Sequence, residues 1–191
     1  MKKVSTINES LPETERPTFS ENEIIPILKE QYDLCCTIKE LPGERDRNYL
    51  AQDKIGNLYV LKISNASESL DYLETQNQAL DCTAKLFDHD RIPSVIHNIN
   101  GESLSRTRST NNNSHWIRLV KFVDGIPMAQ YRPHTKEFLQ EIGLMSGTVT
   151  KALQKIPMQP SVRRHLWEMH NAKETLQQYI QCIDERKMRS L

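Results

Sequence analysis

"LPGERDRNYLAQDKIGNLYVLKIS", residues 41–64, decides how this chain is read. RNYLAQD (47–53) and LYVLKIS (58–64) read as strands, and Gly56-Asn57 between them is a strong hairpin signal. With LCCTIKELP (34–42) before them they make an antiparallel meander. The last of these runs carries one cation, Lys62, among apolar neighbours. Such a lysine is either an edge-strand charge that limits aggregation or an ammonium held out to a phosphate.

Ser20 and Glu23 have capping-box spacing ahead of an apolar face of Ile24, Ile25, Ile27 and Leu28, which predicts a helix over 20–32. Leu70, Leu73, Ala79, Leu80, Ala84 and Leu86 predict a second helix over 67–86. PSVIHNI (93–99) and WIRLVKFVD (116–124) are a fourth and a fifth strand, joined by polar, turn-rich residues expected to form a mobile connection. After GIPMAQYRP, a helix is expected over 135–156, and another, straight or kinked, follows Pro157 and Pro160. The fold class is therefore α+β, a five-stranded antiparallel sheet with one packed helix, followed by further helices. Three segments are expected: a flexible arm over 1–19, a sheet-bearing lobe over 20–124, and a linker with helices over 125–191.

Composition narrows the partners. The chain has 25 Lys and Arg against 25 Asp and Glu, so no net field favours nucleic acid or an anionic membrane. No apolar run reaches the roughly 18–20 residues that span a bilayer, and the N-terminus has no apolar core of a secretory signal. The four cysteines, Cys35, Cys36, Cys82 and Cys182, form no CxxC pair, which fits free thiols in a reducing compartment and predicts a cytoplasmic protein.

Lys62 needs a partner if it is not at an edge, because an unpaired ammonium on a buried side is costly. Glu74, on the expected helix in YLETQNQAL, is the candidate carboxylate. GERDRN lies between the first two strands, where a loop can cover phosphates; Gly43 permits close backbone approach and exposed N–H groups can meet phosphate oxygens. The bland alternatives are a solvated turn for GERDRN and a solvated helix carboxylate for Glu74. Trp116 and Trp167 read as core anchors.

In order along the chain, LPGERDRNYL, GNLYVLKISN, LETQNQAL, IPSVIHNINGE, WIRLVKFVDGIPM, EIGLMSGTVTKAL and SVRRHLWEMHNA resemble the N-terminal lobe and the start of the C-terminal lobe of the aminoglycoside phosphotransferase-like kinases. The resemblance is to the hydroxylysine kinase branch, including proteins that fuse such a domain to a class III aminotransferase. It implies a protein-kinase-like fold that binds ATP or GTP with Mg and phosphorylates a small hydroxyl-bearing acceptor. It implies that Gly43, Glu44, Arg45, Asp46 and Asn48 cover the triphosphate, and that Lys62, paired with Glu74, touches the α/β-phosphates. It further implies that the backbone of Lys121, Phe122 and Val123 meets the purine edge.

The family's HxD-x4-N loop and its later metal-binding aspartate have no match here. His89-Asp90 lies before the fifth strand and has Val95 where asparagine is needed; Asp124-Gly125 sits in the inter-lobe linker. No catalytic or metal-ligating residue is assigned. The expectation is a truncated product, a split half or a fragment, which self-associates or joins a missing C-terminal half. The alternative is a catalytically inactive nucleotide-binding or protein-interaction module on the same fold.

Overall fold

The computed structural model of the chain describes residues 16–87, 91–156, 169 and 172–180. Residues Met1–Pro157 form one compact unit and Met158–Leu191 another. In the second unit the described helix is Ala172–Tyr179. Apart from Met169 and Ile180, the rest of the long helix expected after Pro160, Trp167 included, lies outside the described residues.

The meander forms as β1 (Cys36–Leu41), β2 (Arg47–Asp53) and β3 (Leu58–Ile63). The β2–β3 hairpin closes where predicted. Gly56 takes a φ of 93°, a conformation that suits glycine, and the Asp53 carboxylate accepts hydrogen bonds from the N–H groups of Ile55 and Asn57 at 3.0 and 2.8 Å. A later hairpin supplies the other half of the sheet. β4 (Val95–Ile96) and β5 (Ser105–Arg108) both pair antiparallel with β6 (Ser114–Lys121), whose other edge pairs with β3.

The order is thus β1-β2-β3-β6-β4, with β5 also on β6. The sheet has six strands, one more than the five expected from the sequence, and β4 and β5 share the same edge of β6. β5 arises within the connection expected to be mobile. SRTR has no apolar signature; β6 recruits it through ladder pairing, and the Arg106 guanidinium stacks 4.2 Å from the Trp116 ring centroid.

Side chains alternate across the sheet. Tyr49 and Ala51 of β2, Leu61 and Ile63 of β3, and Ile117 and Leu119 of β6 share one apolar cluster with Ile24 and Leu28 of α1 (Glu21–Tyr32). Each such buried aliphatic side chain contributes about 1.5–3 kcal/mol. The Ser20–Glu23 capping box forms, with the Ser20 N–H 2.8 Å from the Glu23 carboxylate. That bond holds the Glu23 carboxyl below its ordinary range.

The expected loose arm over 1–19 needs correcting for the residues that are described. Residues 16–19 form a strap, because Pro17 and Phe19 carry apolar surface that the sheet buries. The Tyr49 hydroxyl donates to the Phe19 carbonyl at 3.0 Å, and Arg16 pairs with Glu40 at 2.9 Å.

α2 (Leu70–Ala84) begins at Ser69, whose hydroxyl accepts from the Tyr72 N–H at 3.3 Å. α3 (Lys136–Leu153) begins at Thr135 in the same manner and meets α2 where the Cys82 thiol donates to the Ala152 carbonyl. Cys35, Cys36 and Cys82 are free thiols. No helix among the described residues is long and apolar enough to cross a membrane.

Candidate functional site

The strand registers place Asn48 opposite Lys62 and Lys62 opposite Arg118, a polar row across β2, β3 and β6. The strand residues in the core cluster occupy the alternate positions, so the row lies on the other face. Lys62 is half-buried and donates from Nζ to Asn48 Oδ1 at 3.1 Å. The Asn48 Nδ2 group turns to the Pro42 carbonyl at 3.4 Å. One amide thereby joins the lysine to the loop between β1 and β2.

That loop is folded onto itself. A Cβ on Gly43 would lie 2.4 Å from the Asp46 carbonyl oxygen and 2.8 Å from Asn48 Nδ2. The glycine is thus required by packing inside the loop. Asp46 Oδ1 accepts from the Asn65 N–H at 3.1 Å, and Arg45 reaches the Ser67 hydroxyl at 3.4 Å. The buried Asn65 side chain in turn accepts from Ser67 N–H and Oγ at 3.0 and 2.9 Å. The loop is tied to the segment that leaves β3, close to the row. Glu44 is exposed at its tip.

Glu74 does not join Lys62. It is exposed, and the two side chains form no ion pair. The reason is helical phase: the buried stripe of α2 runs through Leu73 and Asn77, one turn apart, and Glu74 is rotated off it. The link between helix and sheet is made instead by Arg118, which is 5 % exposed. It donates from Nη1 to Asn77 Oδ1 at 2.7 Å and from Nη2 to Gln76 Oε1, while its Nε is buried with no hydrogen-bond partner. Sequence reasoning passed over Arg118, Gln76 and Asn77. The available signals were an arginine inside the apolar run WIRLV and a polar residue four positions after Leu73.

Burial pushes the Lys62 ammonium below its ordinary pKa, and the Arg118 charge across the ladder pushes it further, with Asp46 opposing. Arg118 is also lowered by burial, against the pull of Asp46, Tyr72 and Glu68. Both cations of the row are thus held partly out of water, with Asp46 acting on each and Glu68 on Arg118.

At the end of β6, two of the three proposed linker amides are used inside the sheet. Lys121 N–H donates to the Ser94 carbonyl at 2.8 Å and Phe122 N–H to the Leu58 carbonyl at 3.0 Å. Among the described residues, Val123 N–H has no backbone partner.

His115 is buried, with Nδ1 3.0 Å from the Ser64 carbonyl and the ring edge-on to Phe19. It is a core residue. His89 and Asp90 lie outside the described residues. Among the described residues no group of three or more His, Cys, Asp or Glu could hold a metal ion.

No family model matches the sequence, and no curated protein matches it. Solved structures do match in fold. An amicoumacin kinase in complex with AMP-PNP, Ca2+ and Ami superposes with a TM-score of 0.62 at 13% identity, covering 87% of this chain and 55% of that one. A microcompartment-associated aminopropanol kinase superposes with a TM-score of 0.59 at 14% identity, covering 83% of this chain and 48% of that one. The fold is kinase-like, and the chain spans about half the length of these structures.

Proposed function

We propose that this chain is the nucleotide-binding part of a small-molecule phosphotransferase of the aminoglycoside phosphotransferase and hydroxylysine kinase type. Such an enzyme moves the γ-phosphate of ATP or GTP to a hydroxyl of an amino-acid-like or aminoglycoside-like acceptor. The observation that carries the proposal is Lys62, an ammonium held by the Asn48 amide beside a second cation, beneath a tied loop, on a kinase-like sheet. The ordered sequence motifs and the small-molecule kinases among the fold neighbours support it.

In this function Lys62 neutralises α- and β-phosphate oxygens, a charge-assisted contact of about 1.5–3 kcal/mol. The loop over 43–48 covers the phosphates, and the Val123 N–H meets the base. Magnesium, when bound with the nucleotide, supplies further charge neutralisation. Among the described residues no group of three or more His, Cys, Asp or Glu could hold it, and no step is assigned through the metal.

A second reading is a nucleotide-binding module without chemistry. The 191 residues contain no HxD-x4-N sequence, and this reading asks for none. Isothermal titration with ATP and GTP, with and without magnesium, tests the shared premise, with affinity expected in the roughly high-micromolar to millimolar range. A phosphotransfer assay against 5-hydroxylysine and aminoglycosides then tests the second reading. No turnover by the chain itself is expected, and turnover would overturn the non-catalytic module. No detectable nucleotide binding would overturn both.

A further inference from the structure

We propose that Arg118 is a positioning residue for Lys62. It ties α2 to the sheet and stands as a cation directly across from the lysine, so that the ammonium rests on Asn48 and takes its negative partner from a bound polyphosphate. This inference rests on the nucleotide-binding proposal above.

The geometry is specific. Lys62 and Arg118 are direct partners in the β3–β6 ladder, where like charges repel. Arg118 does not escape the repulsion by turning to solvent. It is 5 % exposed, and two of its nitrogens are fixed by adjacent amides of one helix turn, Asn77 and Gln76. A guanidinium presents two acceptors with a rigid planar fork, whereas an ammonium is a compact, freely rotating donor. Both acceptors are neutral, so the Arg118 charge is not cancelled at its own hydrogen bonds.

Asp46 acts on both cations, while Glu68 and Tyr72 act on Arg118. Asp46 is itself engaged by the Asn65 N–H, and Lys62 has no carboxylate within ion-pair distance among the described residues. The folded chain thus holds a lysine between an amide and a repelling arginine. A glutamate in the place of Asn77 or Gln76 would compete with the ligand for that positive charge. Neutral amides leave it for the phosphates.

The test uses the full chain with 13C-labelled lysine side chains, the Lys62 resonance being assigned by its loss in Lys62→Met. In Arg118→Met the Lys62 titration midpoint should rise, because the opposing charge is gone. Triphosphate affinity should fall threefold or more, with nucleoside affinity unchanged. Arg118→Lys should keep the low midpoint although it loses the fork. Asn77→Asp has the shape of the parent and places a carboxylate on Arg118 Nη1. It should raise the midpoint and weaken triphosphate binding, and it decides the matter if Arg118→Met does not fold.

A midpoint unmoved in both Arg118→Met and Asn77→Asp overturns the inference and leaves the nucleotide proposal standing. A midpoint in Arg118→Lys as high as in Arg118→Met overturns it too, since charge is then not the cause. If Lys62→Met binds triphosphate as tightly as the parent, the nucleotide proposal fails and takes the phosphate role of this row with it.

Discussion

The two faces of the sheet are built from the same three strands and differ in every property that matters. On one, Tyr49, Leu61, Ile63, Ile117 and Leu119 close an apolar core under α1. On the other, one residue along, Asn48, Lys62 and Arg118 form a polar row that meets α2 through amides. The first face stabilises the sheet, and the second holds cations at a cost. A chain that must present a fixed ammonium needs both, because a lysine can be kept half-buried only on a sheet secured from its other side.

The largest expected effect breaks the first face. Leu61→Ala removes a fully buried side chain and should destabilise the chain by about 2–5 kcal/mol. Urea unfolding measures this. Where the variant is still folded, its triphosphate affinity should match the parent, and a parallel loss of affinity would mean that the faces are not separable.

Next in size is Gly43→Ala. The added methyl would sit 2.4 Å from a backbone oxygen that cannot move without reshaping the loop. A cost of about 1–3 kcal/mol is expected, together with weaker triphosphate binding. If the melting temperature is unchanged, the loop is less tightly folded than its contacts indicate.

Lys62→Met tests the second face directly. It keeps length and removes charge, so triphosphate binding should weaken about tenfold or more, near 1.4 kcal/mol, while nucleoside binding stays as it was. Stability should not fall, because a desolvated cation has been removed. The pH dependence follows with a definite sign. A lysine whose folded pKa is lowered binds fewer protons folded than unfolded, so parental stability should rise with pH from that lowered value up to its ordinary 10.5. Subtracting the Lys62→Met profile isolates this slope; a difference profile that is flat across that window would remove the case for a strained ammonium.

The two faces were not equally legible in the sequence. The meander, the turn at Gly56-Asn57 and the capping box at Ser20 and Glu23 are local signals, and the structure has each where the residues put it. Lys62 was also visible, as a cation in an apolar strand. What could not be read was helix phase against the sheet. Whether Glu74 or Asn77 faces inward depends on how α2 docks, and no period within the helix distinguishes a polar residue on the stripe from one beside it. β5 was hidden for a related reason, since Ser105–Arg108 owes its conformation to β6 rather than to its own residues.

The smallest expected effect is the most discriminating. Glu74→Ala should change stability by no more than about 0.5 kcal/mol, the range for an exposed residue away from caps and networks. It should leave triphosphate affinity within twofold of the parent, whereas Asn77→Ala, which strips an acceptor from buried Arg118, should cost about 1–3 kcal/mol. The pair of variants reports which helix residue supports the row. An affinity loss of tenfold in Glu74→Ala, with its stability intact, would mean that α2 turns when nucleotide binds and brings the glutamate to Lys62. The Arg118 link would then belong to the ligand-free chain alone, and the lysine would change partners on binding. With no such loss, the amides of α2 are the permanent partners of the row.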